Sequence, residues 1–260
     1  MPILEVHRLD KSFTADDEKI TVLDGLSLSI EDGDFVSIVG PTGCGKSTFL
    51  HIVGGFESKT GGELRFNERP LGPPGPDRGM MFQDHSLFPW LTAFGNVCWP
   101  LEMKGLAKAK RTEMAHKYLD LVHLARYADL YPEQLSGGMK QRVALARLLA
   151  LDPQMFLMDE PFGALDSQTR ELLQEELQAI WRSRRKTVLF VTHDIDEAIY
   201  LGTRLIVFTA RPGRVKADIG IRAEERTASF RKSPEFFAMR SRVWDLLRDE
   251  VLKARALEER

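Results

Sequence analysis

The sequence predicts an α/β fold, a parallel sheet covered by helices on both faces, and three observations carry that expectation. The apolar run Phe35 to Val39 leads into Gly40-Pro-Thr-Gly-Cys-Gly-Lys-Ser47 and then into a helix-like segment, Thr48 to Phe56. A second apolar run, Met155 to Glu160, ends in two carboxylates, and a third, Thr187 to Thr192, ends at His193. Strands alternating with helices build parallel sheets whose ligand sites lie at the C-terminal strand ends.

The glycine-rich turn reads G-x-x-x-x-G-K-S from Gly40 to Ser47, between a buried strand and a helix start, the context that makes it a phosphate-binding loop. Gly40, Gly43 and Gly45 can take positive φ and leave bare backbone for a phosphate. The amides of residues 43 to 48 then converge on that phosphate at the positive end of the helix. Lys46 offers a mobile charge to the β and γ phosphates, and the Ser47 hydroxyl can ligate Mg²⁺. Pro41, Thr42, Cys44 and Thr48 complete the stretch expected to touch the nucleotide. A flexible glycine turn has no need of the strand, the Lys and the Ser together, so a nucleoside triphosphate is the expected ligand.

With 260 residues the chain can bury one sizeable core or a core with an attached subdomain. The net charge of −2 gives no general reason to expect a nucleic-acid partner. Only Cys44 and Cys98 occur, with no C-x-x-C, so neither a disulfide framework nor a zinc site is indicated. Cys44 reads as a small loop side chain or as an accessible thiol. The start, Met-Pro-Ile-Leu-Glu-Val-His-Arg, lacks the layout of a signal peptide, and no apolar run is long enough to cross a bilayer. The expectation is a protein of the reducing cytoplasm.

In chain order, residues 3–9 and 20–30 read as antiparallel strands, most clearly in the alternation Leu26-Ser-Leu-Ser-Ile30. Thr14 to Lys19 reads as a polar loop with Phe13 alone at its edge. Lys59 to Gly62 is a turn, Glu63 to Phe66 a short strand, and Leu71 to Pro76 a loop. From residue 88 the character changes: Met114, Tyr118, Leu121, Val122 and Ala125 recur at helical spacing, without strand signals. Leu135-Ser-Gly-Gly-Met-Lys-Gln-Arg142 opens another helix, Val143 to Leu151. Thr169 to Arg185 is amphipathic, with Leu173, Leu177, Ile180 and Trp181 on one face. Asp194 and Glu197 read as a capping box for a short helix. Arg204 to Thr209 is a strand, which Arg211-Pro-Gly-Arg214 turns back. A helix from Ser233 closes the chain, with Pro234 in its first turn and Phe236, Val243, Leu247 and Val251 inside.

Phosphoryl transfer needs a Mg²⁺ partner, a group that primes water and a sensor of the γ phosphate. Asp159 is placed to hold Mg²⁺ or its water shell, and Glu160 to accept the proton of the attacking water. Taken without the loop, the pair also fits a solvated strand end or a helix N-cap. Leu135-Ser-Gly-Gly138, with Gln83, Asp159-Glu160, Ala164-Leu165-Asp166 and His193 in that order and spacing, resembles the ATP-binding-cassette family of transport ATPases over nearly the whole chain.

That resemblance implies a RecA-like P-loop core with an N-terminal antiparallel β subdomain and an inserted helical subdomain that carries the signature. The corresponding boundaries are 1–87 and 152–232 for the core with its β subdomain, 88–151 for the helical subdomain, and 233–260 for the C-terminal helix. It implies an ATPase coupled to transport, with ATP and Mg²⁺ as cofactors. By the same resemblance Ser47, Gln83 and Asp159 position the metal, while Glu160, His193, Gln83 and Lys46 serve catalysis. Phe13 falls where the family stacks an aromatic on adenine, or is an edge-strand aromatic that packs locally. Ser136, Gly137 and Gly138 open a helix, an anion-binding arrangement that in the family caps the γ phosphate of a second subunit, and Asp166 belongs to the same nucleotide-contacting set. Met139 stands where many cassettes carry Gln, which removes a side-chain contact to the sugar but not the backbone contacts.

Gln83-Asp-His-Ser-Leu-Phe-Pro-Trp-Leu-Thr92, Met158 to Asp166, His193 to Ala198 and Ala210 to Arg214 resemble the nitrate, sulfonate and taurine importer group. The implied partners are a second copy closing head to tail over two ATP molecules, integral membrane permease subunits, and indirectly a periplasmic or extracellular solute-binding protein. No nucleic acid is expected, and the implied place is the cytoplasmic face of the cell (inner) membrane. Leu87 to Leu91 with Trp90 fit a groove for a permease helix and fit ordinary subdomain packing. The alternatives are a cassette of a different importer class, a non-catalytic ATP switch, and a non-transport ATPase. The interval from Lys46 to Ser136 leaves no room for the coiled coil of chromosome ATPases. The length suits one nucleotide domain, not the two of translation-associated cassettes. Glu160 and His193 are both present, unlike in a non-catalytic switch.

Overall fold

The Leu26-Ser-Leu-Ser-Ile30 alternation lies in the second of two long paired strands, with Leu26 and Ile30 buried and both serines exposed. The computed structural model describes residues 1–15, 18–84, 86–221 and 229–258. Strand β1 (Pro2–Ala15) runs antiparallel to β2 (Glu18–Glu31), with Val6 opposite Leu28 and Phe13 opposite Ile20. The expected polar loop is therefore mostly strand: the hairpin register carries on to Ala15 opposite Glu18, so Phe13 sits inside β1 instead of at a loop edge. Asp16 and Asp17 of that loop, and His85 of the importer-like stretch, lie outside the described residues.

The chain continues through β3 (Phe35–Val39), α1 (Lys46–Gly54), β4 (Gly61–Phe66) and β5 (Arg69–Pro70). Next come β6 (Arg78–Met81), α2 (Ala93–Met103), α3 (Lys108–Leu121), α4 (Gly137–Leu151), β7 (Met155–Asp159) and α5 (Ser167–Arg184). The last part holds β8 (Thr187–Val191), α6 (Ile195–Leu201), β9 (Arg204–Phe208), β10 (Val215–Gly220) and α7 (Pro234–Glu258). Two compact units result, Met1–Gly75 with Trp181–Arg260, and Pro76–Ile180.

In the first unit, β2, β1, β4 and β5 form an antiparallel sheet, while β3 lies parallel to β8 on one side and to β9 on the other. Every residue of β3 and β8 is buried, the pattern of central strands covered on both faces. Phe35 meets Trp181 edge-on at 6.0 Å between ring centroids and Phe190 at 5.7 Å, and the Trp181 indole donates to the Gly33 carbonyl at 3.2 Å. β10 returns antiparallel to β9, completing what the Arg211–Arg214 turn begins. On α7, Phe236, Val243 and Leu247 are buried as the helical spacing predicts, but Val251 is exposed and Glu250 takes the inner position. The Ala210 amide at 2.8 Å and the Lys216 and Lys253 ammonium groups, each at 2.9 Å, satisfy that buried carboxylate.

In the second unit, β6 and β7 pair in parallel, Met81 opposite Met158. Arg-Gly-Met-Met carries neither alternation nor β-branched residues, so β6 has no sequence signal. Gly79 leaves room there, since a Cβ would stand 2.5 Å from the Leu148 side chain and 2.8 Å from the Pro153 ring. Tyr118 and Val122 are buried as expected. Ala125 is exposed, because α3 ends at Leu121 and a 3-10 turn, Ala125–Tyr127, turns Leu124 inward instead. The buried Asn96 side chain accepts from the Phe88 amide at 2.8 Å and donates to the Phe88, Leu91 and Thr92 carbonyls at 3.1, 3.0 and 3.0 Å. One amide side chain thus fixes the turn that presents Trp90.

Candidate nucleotide site

The first unit holds Phe13, the loop Gly40 to Thr48 and His193. α1 opens at Lys46, two residues earlier than its apolar pattern suggests, on a left-handed Gly45 with φ 101°. A Cβ on Gly45 would meet the Leu23 and Val22 side chains at 2.8 and 3.0 Å, so β2 packs directly beneath the turn. At Gly40 a Cβ would stand 2.8 Å from the Cys44 sulfur and 3.0 Å from the Phe208 Cβ. Both glycines are dictated by close approach, and Gly45 also by its positive φ. Lys46 is buried, and its Nζ donates to the Gly40 and Pro41 carbonyls at 2.8 and 2.9 Å and approaches the Cys44 sulfur at 3.8 Å. Cys44 is buried rather than accessible, and burial pushes its thiol pKa up against the opposing influence of Lys46.

Ile38 pairs with Val191, and the Thr192 amide donates to the Ile38 carbonyl at 3.2 Å. The exposed His193 therefore leaves the sheet at the same edge as Gly40. Asp194 caps α6, its Oδ1 accepting the Asp196 and Glu197 amides at 2.8 and 3.1 Å. Glu197 does not close the expected capping box. Its buried carboxylate takes the Thr192 hydroxyl at 2.7 Å, since a buried carboxylate needs a donor and the preceding strand end offers one. Phe13 is 39% exposed, with the Lys11 ammonium 4.4 Å from its ring centroid. Lys11 pairs with Leu23, the residue beneath Gly45, so Phe13 lies two residues further along β1 from the back of the loop.

The second unit holds Gln83, Ser136 to Gly138, Asp159, Glu160 and Asp166. β7 is wholly buried and delivers Asp159, 2% exposed, at its end, while the half-buried Glu160 follows with φ 47°. A left-handed Glu is uncommon, and such strain collects at functional sites. The Gln83 side-chain amide faces the Glu160 carboxylate at 3.5 Å. Ser136 caps α4 by accepting the Met139 amide at 3.3 Å, leaving an exposed helix start at Gly137. Asp166 caps α5 through the Thr169 amide at 3.0 Å, and these Thr169 hydrogen bonds hold its carboxyl below the ordinary range.

Sequence reasoning misses two supporting residues. Gly213 reads only as part of a turn, yet a Cβ on it would lie 2.2 Å from the Cys44 carbonyl, and its amide donates to Val22 at 2.8 Å. Gln141, one turn beyond the signature, binds both sides of the Glu160–Ala164 segment, and only its place on the helix three residues after Gly138 hints at that.

Residues 23–163, more than half of the chain, match the ABC transporter family. The chain belongs to that family. Its architecture is the RecA-like P-loop α/β fold, and this ABC transporter protein is an ATP-binding ATPase coupled to transport. An uncharacterized ABC transporter ATP-binding protein of Methanocaldococcus jannaschii is 46% identical over 251 residues, covering 96% of this chain and 93% of its own. The aliphatic sulfonates import ATP-binding protein of Bacillus subtilis is 43% identical, covering 90% of each. The nitrate import ATP-binding protein of Synechocystis is 40% identical, covering 94% of this chain and 95% of its own. Among solved structures, a dimeric ATP-binding cassette in a post-hydrolysis state with ADP and phosphate superposes with a TM-score of 0.79 at 36% identity, covering 85% of this chain and 99% of that one. No helix among the described residues of this ABC ATPase is long and apolar enough to cross a membrane.

Proposed function

We propose that this ATPase drives an importer for a small solute of the nitrate, aliphatic sulfonate or taurine kind, as a peripheral subunit at the cytoplasmic face of the cell membrane. The observation that carries the importer reading is the similarity, along nearly the whole chain, to subunits named for nitrate and aliphatic sulfonate import. An aromatic cluster adds support for a permease partner. Trp90 is 70% exposed, with Phe88 lying between it and Trp99 in tilted ring contacts at 5.5 and 4.9 Å between centroids, a surface of the kind that docks another protein.

In this reading Lys46 and the amides from Gly43 to Thr48 bind the phosphates, and Phe13 stacks on the adenine. His193 contacts the γ phosphate from the neighbouring strand end. Two copies close head to tail, so that Ser136, Gly137 and Gly138 of one chain, with Asp166 nearby, complete the site on the P-loop of the other. The water oxygen attacks the γ phosphorus as its bond to the β–γ bridging oxygen breaks. Glu160 takes the water proton, and ADP leaves with the bridging oxygen. Ser47, Gln83 and Asp159 would hold the ion as hard oxygen donors, three side chains in all. That sparse set fits Mg²⁺, which relies on substrate phosphates and water for most of its ligands. When bound, the ion neutralises charge on the phosphate oxygens.

The test is reconstitution of the chain with its permease and solute-binding protein in liposomes, reading ATP hydrolysis with nitrate, an alkanesulfonate or taurine added. Stimulation by one of these is expected. Steady hydrolysis that none of them changes would overturn the assignment to this importer group.

A further inference from the structure

Gln141 is 2% exposed, and the two groups its side chain hydrogen-bonds both belong to the second unit. Its Nε2 donates to the Glu160 carbonyl at 2.9 Å, and its Oε1 accepts the Ala164 amide at 2.9 Å. A carboxamide placed between a carbonyl and an N–H has one orientation that satisfies both, so the contact is directional. The segment it brackets is the one with the unusual backbone, Glu160 at φ 47°, closed by the Gly163 amide on the Glu160 carbonyl at 3.1 Å.

The same helix touches the segment a second time. Gly138 lies three residues before Gln141, on the same face of α4. A Cβ on Gly138 would stand 3.3 Å from the Ala164 carbonyl and 3.2 Å from the Leu165 side chain. The start of α4 is thus fitted to residues 164–165 by close approach, and one turn later it is hydrogen-bonded to residues 160 and 164. A left-handed Glu persists only when its surroundings over-determine it, and these contacts supply that constraint.

We propose that Gln141 is the positioning residue for Glu160. It holds the backbone of the general base in its left-handed conformation and makes Glu160, Ala164 and the start of α4 move as one piece. The proposal rests on the reading of Glu160 as the base. It also gives the signature helix a second role, because the end that faces the partner's nucleotide is tied through Gln141 to the base of its own chain. Closure of one site would then adjust the proton acceptor of the other.

The test is a double-substitution cycle on the full-length chain, with Gln141→Met and Glu160→Gln read by steady-state and single-turnover ATP hydrolysis. Gln141→Met should lower kcat by ~10–100-fold, the scale of a catalytic group displaced by a fraction of an ångström to an ångström. KM for ATP should stay within about two-fold, because Gln141 is buried and its side-chain amide is engaged by the Glu160 carbonyl and the Ala164 amide. With Glu160→Gln already present, Gln141→Met should cost nothing further. Where Met unfolds the chain, Gln141→Glu replaces it, keeping the acceptor for Ala164 but exchanging the donor to Glu160 for an oxygen that repels that carbonyl, with the same split expected. Equal losses in both backgrounds, or an unchanged kcat, would overturn the positioning role. Near-normal turnover by Glu160→Gln alone would instead overturn the base assignment beneath it.

Discussion

Gly213 stands against the Cys44 carbonyl so closely that a Cβ there would be 2.2 Å from that oxygen. The contact is backbone to backbone, and the turn is also held from β2, by the Gly213 amide on Val22 and the Asp24 amide on Gly213 at 2.8 and 3.2 Å. Neither side can give way by rotating a side chain. Gly213→Ala should therefore cost roughly 1–3 kcal/mol and weaken ATP binding, since the displaced atom belongs to the phosphate loop. Thermal unfolding and nucleotide titration of the same preparation check both. Unchanged ATP affinity would detach the turn from the loop's function.

Ser136→Arg should abolish hydrolysis, by about 100-fold or more, while leaving ATP binding by the isolated chain near normal. Loss of the Ser136 cap on Met139 adds a stability cost of about 1 kcal/mol, so folding is checked alongside. Mixing Ser136→Arg with Lys46→Ala chains should restore part of the activity, because one composite site then carries neither lesion. No recovery, together with weakened ATP affinity of the Ser136→Arg chain itself, would place the signature outside a shared site.

Trp90→Glu should release the permease without unfolding the ATPase. The indole is 70% exposed and packs within the chain on Phe88, so the stability loss should stay near the ~1 kcal/mol of one aromatic pair. A charge placed at a desolvated contact without a partner is costly, and co-purification with the permease should fall. A large drop in unfolding temperature with unchanged co-purification would instead make Trp90 a packing residue.

Glu250 links α7 to the turn after β9, and its protonation should be legible in acid. Burial pushes its pKa up, but the Ala210 amide and the Lys253 and Lys216 ammonium groups outweigh that and bring it down to about 2. A carboxyl depressed in the folded chain stabilises it above the unfolded pKa of about 4.3, and loses that contribution as pH falls through the folded value. The shift is worth roughly 3 kcal/mol. Glu250→Gln should lower stability at pH 7 and flatten the decline between about pH 4.5 and 2. Denaturant unfolding across that range measures it, and parallel curves for the two proteins would remove Glu250 as the anchor.

Elements that bury a continuous or alternating apolar pattern are legible from the residues alone. β3, β7 and β8 are fully buried runs, and the β2 alternation matches its two faces. What stays hidden is held by polar or steric complementarity. β6 consists of Arg-Gly-Met-Met and exists because it fits against β7, with Gly79 making room for Leu148. The inner position of Glu250 depends on Lys216, Lys253 and Ala210, which no helical periodicity can encode. In the site, the loop glycines and the Asp159-Glu160 pair can be named from spacing. The left-handed turn at Glu160 and its clamp by Gln141 cannot, because both arise from the packing of α4 on residues 160–165.

Cys44 has its sulfur wedged where Gly40 lacks a Cβ, and only 1% of the residue meets solvent. Cys98, on α2 beside Trp99, is half-buried. Burial raises both thiol pKa values, but a maleimide can reach only the second. The unaltered chain therefore offers one chemical handle. A fluorophore attached to Cys98 sits next to Trp99, the member of the exposed aromatic cluster that α2 supplies, well placed to report the arrival of the proposed permease while the phosphate loop stays untouched.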